Sequence, residues 1–148
     1  MKLYHSYNLK NGFNINSIDF ERGLFCLRSM KDDDWIKKTY PKYSDFDSNE
    51  FGDTVVELDV DDNQKTFVGF EQLDVLKTFF SKSFNARKII NKFEHEEFER
   101  EDYHKMDKFI GKFLRKKGYK LIHYNGDDMY GDVFVIIDKS VIKGIRFS

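Results

Sequence analysis

The feature that most constrains this chain is "GDVFVIID", residues 131–138, where five consecutive apolar residues stand between two acids. A strand with one face in water alternates apolar and polar residues, so an unbroken run predicts a strand buried on both faces. Such a strand needs something packed on each side of its sheet. Residues 103–117 carry the clearest amphipathic period in the chain. Met106, Phe109, Ile110, Phe113 and Leu114 fall at i, i+3, i+4, i+7 and i+8, with basic residues opposite and Gly118 placed as a left-handed stop.

Around these two elements the pattern runs strands, helices, strands. "KLYHSY" (2–7), "GLFCL" (23–27) and "DTVVELDV" (53–60) read as strands, the last with Val55 or Val56 inward. Ser29 is placed to cap a helix with Asp32, Asp33 and Asp34 in its first turn, ending before Pro41. Phe70, Leu73 and Leu76 open one amphipathic stretch, and Ile89, Ile90 and Phe93 mark another. "YKLIHY", a turn "NGDDMYG" signalled by Asn125-Gly126, the buried strand and an edge strand "VIKGIRF" complete the chain. The fold class expected is α+β, with N- and C-terminal strands sharing sheets and helices inserted between them.

With 148 residues and no Gly/Ser linker or repeat, a single domain over 1–148 is expected. Aromatic residues reach 17%, so large planar side chains should build much of the core. A net charge of -1 supplies no global field for nucleic acid or an anionic membrane. Locally the charge is two-sided: residues 44–62 hold eight acids and no base, and residues 103–120 hold seven bases and one acid. Two solvated faces that complement each other explain this more simply than a partner surface does. One cysteine, Cys26, excludes an internal disulfide, and its place in "GLFCL" marks it as a buried small hydrophobe. With no secretory h-region and no run of about 18 apolar residues, a cytoplasmic protein without membrane contact is expected.

Among four histidines, His95 and His104 read as solvated helix residues, and His123 alternates on a strand to face either the core or a cleft. His5 is flanked by tyrosines in mid-strand, a position that is usually structural. Asp132 stands alone at the lip of the buried strand, while Asp127 and Asp128 read as solvated turn acids that rival it. No phosphate-binding loop, dinucleotide fingerprint, zinc-protease or esterase motif is present, and no metal site is expected.

In order along the chain, "LYHSYN", "GLFCLRS", "VVELDVD", "KKGYKLIHY" and "GDVFVIIDKSVIKGIRF" resemble the ADP-ribosyltransferase fold. The likeness is to the His-Tyr-Glu branch of poly-ADP-ribose polymerases and small bacterial and phage enzymes. It spans most of the chain through short motifs. The resemblance implies a split β-sheet core, NAD as substrate, and a protein or nucleic-acid acceptor. His5 matches the first-strand histidine, which would hold the ribose and the nicotinamide end. Ser6, where the family prefers Gly, would offer its backbone to the nicotinamide amide. Asp132 matches the acid that stabilises the cationic sugar, although it is one methylene shorter than the family's Glu. Phe25 aligns with the tyrosine of "G-L-Y", and Tyr40, with Trp35 and Tyr43 as alternatives, would stack on nicotinamide. Tyr130, two residues before the acid, departs from the Glu or Gln of arginine- and asparagine-modifying toxins. Two alternatives stand beside the enzyme: a non-enzymatic inhibitor that blocks a host protein through a charged face, and single-strand nucleic-acid contact through "KFLRKKGYK".

Overall fold

The computed structural model describes residues 1–27, 54–80, 82–127 and 131–147. Its strands are β1 (Lys2–Tyr7), β2 (Leu24–Leu27), β3 (Thr54–Val60), β4 (Thr66–Gly69), β5 (Leu121–Asp127), β6 (Gly131–Ile136) and β7 (Ile142–Phe147). Three helices, α1 (Gln72–Phe79), α2 (Phe84–Glu94) and α3 (Arg100–Lys116), lie between β4 and β5. The seven strands form one sheet in the order β4-β5-β6-β2-β1-β3-β7. Every pairing is antiparallel except β4 with β5, which the helical crossover makes parallel. The chain is therefore an α+β protein in which early strands are enclosed by late ones.

Each face of the sheet has its own core. On one face Val75, Leu76, Met106, Ile110 and Leu114 of the helices pack on Ile122, Tyr124, Val135 and Ile137. On the other, Leu3, Cys26, Leu58, Leu121, Phe134 and Ile136 are covered by Phe13, Ile18 and Phe20 from the segment between β1 and β2. Strand β6 contributes Phe134 and Ile136 to one core and Val135 to the other, which is why its sequence does not alternate.

The long helix begins three residues earlier than its apolar period suggests. Asp102 accepts a bond from the Glu99 amide at 2.9 Å in a capping box, and Lys92 reaches the same carboxylate at 3.0 Å. It ends as expected before Gly118, whose φ is +85°. Two expectations are corrected. "TFVG" of β4 forms a strand that no alternation announced. Asn125-Gly126 does not make the turn, since both residues lie inside β5. Gly126 answers to packing instead: its amide donates to Phe70 O at 2.9 Å, and a Cβ there would meet the Phe70 ring at 2.5 Å. The helix expected from Ser29 to Pro41 lies outside the described residues.

Candidate active site

The sheet order decides which polar residues share a face. Tyr4 pairs with Leu27 and Leu27 with Val133, which makes one row across β1, β2 and β6. His5 lies one residue past that row on β1, and Asp132 one residue before it on β6. Val133 packs into the helix-side core, so by strand alternation His5 and Asp132 both project to the opposite face, the one that the segment carrying Phe13, Ile18 and Phe20 covers. Two interstrand spacings and two residues of strand rise put their Cα atoms roughly 12 Å apart, with β2 between them.

His5 Nδ1 lies 2.8 Å from the Phe25 carbonyl oxygen. A carbonyl only accepts, so Nδ1–H donates and Nε2 is left as an acceptor in the neutral ring. Burial holds the pKa of His5 below the ordinary histidine value, against the smaller opposing effect of the Phe25 bond. The imidazole is therefore neutral at pH 7. Phe13 leans on it with ring centroids 5.8 Å apart.

Asp132 is not alone. Its Oδ1 lies 2.6 Å from His123 Nε2, a short contact of the kind made by a charge-assisted bond. The His123 ring lies flat on Phe134, with centroids 4.3 Å apart and planes 7° apart. The two residues are also register partners across β5 and β6. His123 therefore packs on the core through Phe134 and meets an acid with its Nε2, so its strand position serves both packing and a polar contact. A turn at Asn125-Gly126 would pair Tyr124 with Asp127, whereas Tyr124 pairs with Val133. That difference in register hid the contact from the sequence.

The other expected site residues fare differently. The Phe25 ring packs into the helix-side core, opposite His5 and Asp132, and so is not a stacking surface for a ligand on their face. Ser6 is paired with Val55 of β3. Tyr40, Trp35, Tyr43 and Asp128 lie outside the described residues, and Asp127 closes β5 opposite Gly131. His95 Nδ1 bonds to Asn91 O at 2.8 Å on the helical surface, as expected of a solvated residue. Among the described residues no three His, Cys, Asp or Glu side chains group as metal ligands would. No helix among them is long and apolar enough to cross a membrane.

The arrangement offers a neutral histidine acceptor, a fixed carboxylate and a carboxylate-bound imidazole on one face. Comparison with protein-family models, curated proteins and solved structures finds no match to this chain.

Proposed function

We propose that the chain is an ADP-ribosyltransferase-like enzyme that transfers ADP-ribose from NAD to a macromolecular acceptor, protein or nucleic acid. The observation that supports this reading is the common face of His5 and Asp132 on either side of β2, the two positions for which the motifs imply ligand-binding roles. The seven strands make one continuous sheet rather than the split sheet that the resemblance implies, and within it β6 and β7 flank β2, β1 and β3.

In this reading His5 Nε2 accepts a hydrogen bond from a ribose hydroxyl, and Asp132 sets its negative charge beside the anomeric carbon. The C1′–N bond breaks and nicotinamide leaves with the bonding pair. An acceptor lone pair then closes on C1′, and the acceptor's proton passes to solvent. A fixed carboxylate stabilises the cationic sugar of such a transition state, the more so where water is kept away. The shorter Asp side chain sets how near the sugar must approach.

The test is nicotinamide release and transfer of label from NAD in a cell lysate, with Asp132→Asn and His5→Ala beside the unmodified protein. Each variant should lose roughly 100-fold in rate, the scale of removing one transition-state charge or donor. Unchanged labelling in both would refute the site. Absence of NAD binding, together with one stoichiometric protein partner, would favour the inhibitor reading.

A further inference from the structure

The His123–Asp132 contact has no counterpart in the motifs that suggested the function. A surface ion pair would explain it if both side chains were freely solvated, but they are not. The His123 side chain is only 18% exposed and the Asp132 side chain 43%. The imidazole is also pinned by its stack on Phe134. Its orientation therefore follows from packing, independently of the acid. The carboxylate is the partner more open to the outside, and so the one that a bound molecule would reach. The β5–β6 register shifts between Tyr124 and Asp127, beside the level at which Asp132 sits.

A carboxylate only accepts, so Nε2 carries the proton and donates it to Oδ1. An unrestrained Asp carboxylate turns broadly about its last torsion. One short bond to a ring fixed by stacking removes that freedom.

We infer that His123 is a positioning residue for Asp132, holding Oδ1 so that Oδ2 is presented to the electron-poor sugar. This rests on the transferase reading above. Such preorganisation acts on the transition state, so it should appear in kcat rather than in substrate binding.

Two variants separate positioning from mere structure. His123→Gln keeps an N–H donor near the place of the imidazole Nε2, and His123→Phe keeps a flat ring for Phe134 but no donor. Nicotinamide release is followed at varied NAD, with circular dichroism to verify folding. His123→Phe should lower kcat by roughly 10- to 100-fold with KM within about 2-fold, and His123→Gln should recover most of that loss. Proton NMR supplies a separate signature, an imidazole Nε2–H resonance protected from exchange in the parent protein and lost in Asp132→Ala. Parent kcat in His123→Phe overturns the positioning role alone, as does a loss in His123→Gln equal to that in His123→Phe. An unprotected Nε2–H in the parent protein likewise overturns it. No nicotinamide release by the parent protein overturns the transferase reading, and the positioning role with it.

Discussion

Replacement of Asp107 by asparagine should make the protein markedly more stable at alkaline pH and leave it nearly unchanged near pH 4. Asp107 lies on α3 with 7% of its surface exposed. Burial pushes its carboxyl from 3.8 up to about 7, while a bond from Gln72 and the charge of Arg22 hold it back from rising further. Below the unfolded value the acid is protonated in both states, and its burial has no ionic penalty. As pH rises from about 4 to 7, the unfolded chain releases the proton while the folded chain retains it. Stability therefore falls across this window and levels off above the folded value. At 1.36 kcal/mol per unit, the interval from 3.8 to about 7 amounts to about 4 kcal/mol. The amide side chain of the Asp107→Asn variant has the same shape and no charge, so it carries no such loss. Urea denaturation of both proteins at pH 4, 6 and 8 gives the difference, in which the contributions of His5 and other titrating groups cancel. The gap should open by about 4 kcal/mol between pH 4 and 8. A difference independent of pH would refute the argument that burial raises the carboxyl of Asp107 far above its ordinary range.

Gly111→Ala should destabilise, although Ala is the better helix former. A Cβ there would lie 2.6 Å from the Glu21 carbonyl oxygen, and crowding of this kind costs about 1–3 kcal/mol; a raised melting temperature would contradict it. Arg115→Met should also cost about 1–3 kcal/mol in urea denaturation, because the guanidinium bonds to Phe20 O at 2.8 Å and ties the same segment to α3. Unchanged stability would mean that water replaces the guanidinium at no cost. Cys26 is 1% exposed and burial pushes its thiol well above the usual range, so a disulfide reagent should react only after unfolding. Prompt labelling of the native protein would place that thiol outside the core.

Much of the architecture was legible because periodicity reports which side of an element is apolar. The 3.6-residue spacing from Met106 to Leu114 marked α3, and the unbroken run after Asp132 marked a strand with two covered faces. Periodicity says nothing about which strands become neighbours. The common face of His5 and Asp132 depends on β2 lying between β1 and β6, a pairing between distant parts of the chain. His123 was harder still. Its partner follows from the β5–β6 register, and the Asn-Gly signal pointed to the wrong reversal because Gly126 is needed to admit the Phe70 ring. Strand β4 escaped notice because its four residues depend on a parallel neighbour reached only through three helices. The inward face of Phe25 follows from its registration with Val135, which local pattern does not reveal.

The enclosure of early strands by late ones has a consequence for synthesis. When β1, β2 and β3 have emerged from the ribosome, the outer edges of β2 and β3 still lack β6 and β7, which are made later. Until then a growing chain carries two open hydrogen-bonding edges beside the apolar surface of Leu3, Leu24 and Leu58. Nascent chains of this kind are open to wrong pairing, and contacts between distant segments slow the completion of the sheet. Loss of β7 through a late stop codon would return the β3 edge to that state permanently. Such a product should be a chaperone client even though the helices and most of both cores remain encoded.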